Sequence, residues 1–111
     1  MEVYFESKKF AELLENDRKR VREFGAENAR WIQKRLDNLQ FAPNLEAMRS
    51  LPGRTHELKG DRAGTFAIDL KDGYRLILKP ADEPPPHKPD GGLNWQAITS
   101  VVVVAVEDYH D

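Results

Sequence analysis

Thr65-Phe66-Ala67-Ile68-Asp69-Leu70-Lys71-Asp72-Gly73-Tyr74-Arg75-Leu76-Ile77-Leu78-Lys79 decides the fold of this 111-residue chain. Phe66, Ile68 and Leu70 alternate with smaller or polar residues, which places them on one face of a strand. Asp72-Gly73 is a hairpin signal, because the tightest turns between antiparallel strands need positive φ at adjacent residues. Beyond it the alternation resumes. Tyr74, Leu76 and Leu78 point inward, and Arg75, Ile77 and Lys79 point to the opposite face.

Upstream the period is helical. Val3–Phe5 reads as a short strand, and Ser7 can cap a helix carrying Phe10, Leu13 and Leu14 on one stripe. Asn16 and Asp17 offer a second cap, with Val21 and Phe24 continuing the apolar face to a stop at Gly25. Over residues 26–41 Ala29, Ile32, Leu36 and Leu39 recur at helical spacing, with Arg30, Lys34, Arg35 and Asp37 on the other side. Leu45 and Met48 suggest one more helical turn between Pro43-Asn44 and Pro52-Gly53. Downstream, residues 80–95 hold five of the seven prolines and a Gly-Gly pair, and read as a loose loop pinned to the core by Trp95. The apolar run from Ala97 to Val106 fits a strand covered on both faces. Helices followed by strands imply an α+β fold, a single domain over 1–111 with an antiparallel sheet and the N-terminal helices on one face.

The bulk composition narrows the function. With 40% hydrophobic and 32% charged residues the chain suits a globular domain with a thin core. It has no cysteine, so thiolate metal sites, disulfides and cysteine nucleophiles are excluded. The N-terminus lacks the basic and apolar regions of a signal peptide. The longest apolar run, Val101–Val106, falls far short of the roughly 20 residues of a membrane span. A cytoplasmic address and no membrane partner are expected. The net charge of −2 is unevenly spread. Residues 1–48 balance, 49–79 carry a net +3 and 80–111 a net −5, so the middle third is where a polyanion would dock.

Three histidines are present, and histidine is the side chain suited to proton transfer at neutral pH. His87 lies among prolines. His56 opens the sheet region beside Arg54 and Lys59, and His110 follows Asp108 and Tyr109. RNA cleavage needs a base for the 2′-OH, cations for the pentacoordinate phosphorane and an acid for the departing 5′-oxygen. His56, Lys59, Arg75 and Asp108-Tyr109-His110 supply all three roles without a metal or other cofactor. On the last strand Asp108 and His110 share parity and can project to one side. A surface histidine, a polar tail and a glycine-bearing turn over residues 59–64 account for the same residues without chemistry.

The segments Leu51-Pro52-Gly53-Arg54-Thr55-His56-Glu57-Leu58-Lys59-Gly60-Asp61-Arg62-Ala63-Gly64, Gly73-Tyr74-Arg75-Leu76 and Val106-Glu107-Asp108-Tyr109-His110 together resemble the RelE/ParE superfamily of toxins, nearest its HigB-like branch. The helix start at Ser7-Lys8-Lys9-Phe10 and the basic helix from Ala26 extend the resemblance over most of the chain. It implies a type II toxin–antitoxin toxin, an endoribonuclease that enters the ribosomal A site and cleaves mRNA there. Its partner would be a helix-turn-helix antitoxin, through which alone the chain would meet DNA. The catalytic residues carried over are His56, Lys59, Arg75, Asp108, Tyr109 and His110. His110, oriented by Asp108, is expected as the base and His56 as the acid or second proton carrier. Lys59 and Arg75 would stabilise the phosphorane, and Tyr109 would stack on the scissile nucleotide. Arg54, Arg62 and Lys79 are expected to bind RNA. Relatives are commonly more basic and have shorter loops at residues 80–95. Two other readings are a ParE-like gyrase poison and a catalytically silent module acting with its antitoxin in operon autoregulation.

Overall fold

A computed structural model describes residues 1–109; His110 and Asp111 lie outside the described residues. Strand β1 (Glu2–Phe5) leads into helices α1 (Lys8–Glu15) and α2 (Asp17–Phe41), then a 3-10 turn at Leu45–Ser50. Strands β2 (His56–Glu57), β3 (Phe66–Asp69), β4 (Tyr74–Pro80) and β5 (Ser100–Asp108) follow. The expected caps are formed. Ser7 accepts the Phe10 N–H at 3.1 Å and Asn16 accepts that of Lys19 at 2.9 Å. Gly25, at φ 83°, breaks α2 into two helical pieces with a kink between them. At the hairpin Asp72 and Gly73 take φ 55° and 78°, and the Tyr74 N–H reaches the Lys71 carbonyl at 3.1 Å.

The sheet order is β1-β5-β4-β3-β2. The four strands β2 to β5 pair antiparallel, as expected for this α+β fold, whereas β1 joins β5 in parallel, so the sheet is mixed. A parallel pair needs a long crossover, and α1, α2 and the other strands all lie between β1 and β5. Leu14 of α1 and Ile32, Leu36 and Leu39 of α2 form one buried core with Phe66, Ile68, Leu76, Leu78, Val101 and Val103. Only this face of β5 is covered by helices. Val102 and Val104 are half-buried, so the strand is not enclosed on both sides as its composition suggested.

Two buried polar side chains, Asn28 and Arg35, tie α2 to the hairpin, and a third, Arg20, ties α2 to α1. Asn28 accepts the Lys71 N–H at 2.9 Å and donates to the Lys71 carbonyl at 3.3 Å. Arg35, expected on the solvated side of its helix, is buried; it bonds Asn38 at 3.2 Å and the Asp69 carbonyl at 3.4 Å. Its stem fills space above Gly53, where φ is 111°. Arg20 bonds Asp17 and the Leu14 carbonyl. The 80–95 segment is more ordered than its prolines suggest. Backbone bonds run from Lys88 to Gly92 and from Asn94 to Pro86, and Trp95 packs edge-on to Phe66 at 4.8 Å between centroids.

A Cβ on Gly53 would lie 2.6 Å from Ile68 Cγ2 and 2.9 Å from Arg35 Nε, whereas one on Gly60 (φ 69°) meets open space. Gly53→Ala should therefore cost about 2–4 kcal/mol, adding overpacking to backbone strain, against about 1 kcal/mol for Gly60→Ala. Urea unfolding of the two variants checks the difference.

Candidate functional site

Strand pairing decides which residues share the sheet face away from the helices. His56 pairs with Ala67, Ala67 with Ile77, and Ile77 with Ala105, so these four form one row across β2 to β5. Asp69, Arg75 and Glu107 form the next outer row. The β4–β5 register shifts between Ile77 and Leu78, which face Ala105 and Val103 respectively, leaving Val104 as an extra residue in β5. This bulge reverses the side-chain parity of the strand. Before it Val101 and Val103 face the core; after it Val106 does, and Ala105 and Glu107 face outward.

Consequently Asp108, paired with Tyr74, takes the parity of the helix side. The bulge thus puts Glu107, and not Asp108, beside Arg75. Tyr109 follows with outer parity. Its N–H donates to the Gly73 carbonyl at 2.8 Å, and its ring lies 3.4 Å from the Arg75 guanidinium carbon. A cation held over a tyrosine face at this range is worth about 0.5–2 kcal/mol. Tyr109 is thus anchored to the hairpin by both its backbone and its ring.

Arg75 is 7% exposed although it lies on the outer face, and its Nε has no hydrogen-bond partner among the described residues. Burying an unpartnered guanidinium donor is costly, and a ligand oxygen would relieve that cost. One Nη lies 4.0 Å from Glu107 Oε1. Glu107 is in turn gripped by Arg62, with N···O distances of 2.9 and 2.6 Å to its two oxygens. Arg62 comes from the 3-10 turn Gly60–Arg62 between β2 and β3, so this connection folds back over the outer face. The Arg62 hydrogen bond holds the Glu107 carboxyl below its ordinary value, against a smaller opposing effect of burial.

The remaining expected residues fall into two groups. His56 projects from the edge strand on the same face, with Nδ1 2.7 Å from the Arg54 carbonyl. Two strand spacings and two residues separate it from Arg75, about 12 Å between Cα atoms. Lys59 immediately precedes the Gly60–Arg62 turn, and Lys79 lies on the outer parity of β4 opposite Val102. Arg54 is engaged with Asp69, at 3.0 Å, and Arg62 with Glu107, so neither presents a free cation. His110 lies outside the described residues. Glu107 is the functional candidate that the motif reading passed over, since the bulge that turns it outward has no sequence mark. Among the described residues no group of three or more His, Asp and Glu side chains could hold a metal ion, and no helix is long and apolar enough to cross a membrane.

The chain matches no protein-family model and no curated protein. A solved structure, a YoeB/ParE toxin from Agrobacterium tumefaciens, superposes over 99% of this chain and 100% of its own, with a TM-score of 0.60 and 14% identity. The fold is that of the RelE/ParE toxins. Within that fold the arginine–tyrosine stack lies at the end of the central hairpin and the last strand.

The Arg62–Glu107 pair has a definite pH signature. A carboxylate whose folded value is lowered adds stability that is fully present above the ordinary glutamate value of 4.5 and lost as pH falls through the lower folded value. Glu107→Gln should thus lower the urea midpoint at pH 7, and its deficit against the unsubstituted protein should shrink progressively below pH 4.5. A deficit independent of pH would show that the ion pair is not its source.

Proposed function

We propose that this chain is the toxin of a type II toxin–antitoxin pair of the HigB-like kind, an endoribonuclease that cuts mRNA in the ribosomal A site. The observation that carries this reading is Arg75: a nearly buried guanidinium whose Nε has no partner among the described residues, roofed by Tyr109 on an outer face that also bears His56. A phosphodiester supplies the oxygens that such a donor lacks. The fold shared with a YoeB/ParE toxin supports the same reading.

In this mechanism His110 takes the proton of the 2′-OH, whose oxygen attacks the adjacent phosphorus. Arg75 and Lys59 stabilise the phosphorane as negative charge gathers on its equatorial oxygens. The P–O5′ bond breaks, and His56 protonates the departing oxygen, leaving a 2′,3′-cyclic phosphate and a free 5′-OH. Tyr109 holds the Arg75 plane and offers its ring to a base. Asp108 orients His110. Lys79, with Arg54 and Arg62 once released from their carboxylates, tracks the RNA backbone. A helix-turn-helix antitoxin would silence the toxin, in the cytoplasm.

The test adds the purified chain to translating ribosomes carrying a defined message and maps the new 5′ ends, with naked RNA in parallel. Cuts confined to ribosome-bound message are expected. Arg75→Ala should lower the cleavage rate by about 10²–10³-fold, and Arg75→Lys should restore little of it, because an ammonium cannot present a planar fork. Intact message together with a DNA-damage response on expression would refute the nuclease reading in favour of gyrase poisoning. Intact message and unaffected growth would favour the silent module.

A further inference from the structure

The Glu107 carboxylate occupies the ground between two guanidinium groups. Both of its oxygens are engaged by Arg62, at 2.9 and 2.6 Å, and Oε1 is also 4.0 Å from Arg75. Carboxylate and phosphodiester present the same feature to a guanidinium fork, a pair of anionic oxygens in one plane. Among the described residues Arg75 Nε has no partner while this carboxylate is present, so Glu107 leaves part of the donor set unused. The tie bridges the 58–65 connection and β5, two segments joined on this face by the flexible ends of long side chains. Exchange of one anion for another there requires no movement of the sheet.

We propose that Glu107 is a built-in competitor for the RNA phosphate. In the free protein its carboxylate fills the place between Arg62 and Arg75, and RNA docks by displacing it. This rests on the reading that the outer face receives RNA, and it makes Glu107 a positioning residue that sets RNA affinity. With Glu107 engaged the three side chains carry a net charge of +1; once it swings aside, two cations face the phosphate. The carboxyl stays ionised at neutral pH because its bond to Arg62 favours the charged form, so displacement is by competition and not by protonation.

The experiment measures binding of a fluorescent 2′-O-methyl RNA hexamer, which cannot be cleaved, by anisotropy over a series of salt concentrations. Glu107→Gln should bind about tenfold tighter at low salt, the effect of removing one competing charge-assisted contact. The slope of log K against log salt should be the same for both proteins, because the phosphate contacts are the same once Glu107 has been displaced. Adding Arg75→Gln to that variant should abolish the gain. A mere strut would lower the melting midpoint and bring no gain in affinity. Equal or weaker binding by Glu107→Gln, or no binding by either protein, overturns the proposal. Should the variant not fold, the carboxyl carbon-13 signal of Glu107 in the unsubstituted protein decides. It should move on RNA addition, and a static signal with RNA bound overturns the proposal. The nuclease reading is judged separately by cleavage of ribosome-bound message, so tighter binding without cleavage would retain the competitor and discard the nuclease.

Discussion

The one-residue offset between β4 and β5 is the constraint from which the outer face follows. In an antiparallel pair, side chains alternate strictly between faces, and a single extra residue exchanges the two sets. Val104 is that residue. It lets the same strand give Val101 and Val103 to the core at one end and Glu107 and Tyr109 to Arg75 at the other. Without the offset Val106 would lie opposite Arg75, Asp108 rather than Glu107 would be on that face, and the Arg62–Glu107 tie could not form across it. Packing of the apolar half of β5 and placement of its polar half are therefore separate demands, and the bulge satisfies both.

The electrostatics of the face depend on this placement. Arg75 is charged, nearly buried and only partly satisfied, a combination that proteins tolerate where a ligand completes the shell. Tyr109 roofs the guanidinium with its ring and is itself fixed by the Gly73 carbonyl, so the β4–β5 ladder extends beyond the last residue of β5. On the far side of the sheet, Arg35 and Asn28 brace the hairpin through backbone groups of Asp69 and Lys71. The helices thus hold the turn whose last glycine holds Tyr109. Rigid support behind a partly satisfied cation is what pre-organised anion recognition requires.

Much of the architecture was legible before folding. The 66–79 hairpin could be read because Asp72-Gly73 is one of few pairs that accept positive φ at both positions. Ser7 and Asn16 could be read because short oxygen-bearing side chains satisfy helix N–H groups. Arg75 could be placed on the outer face because Tyr74, Leu76 and Leu78 take the opposite, core-facing parity. In contrast, Val101–Val104 are four identical side chains, and a run with no alternation carries no register. Neither the bulge nor the partner of Arg75 could be drawn from it. The burial of Arg35 was hidden for a related reason, since the carbonyl it reaches across to, that of Asp69, lies on a strand 34 residues away.

The chain alone determined which segments are helical, which are extended, where the hairpin turns and which basic and imidazole groups are available, because these depend on contacts among near neighbours. Tertiary structure alone decided that β1 lies parallel to β5, that Glu107 and not Asp108 faces Arg75, and that Arg54 and Arg62 are already engaged with carboxylates. Those outcomes turn on strand register and on ion pairs between residues 15 and 45 positions apart, whose distances exist only once the sheet has closed.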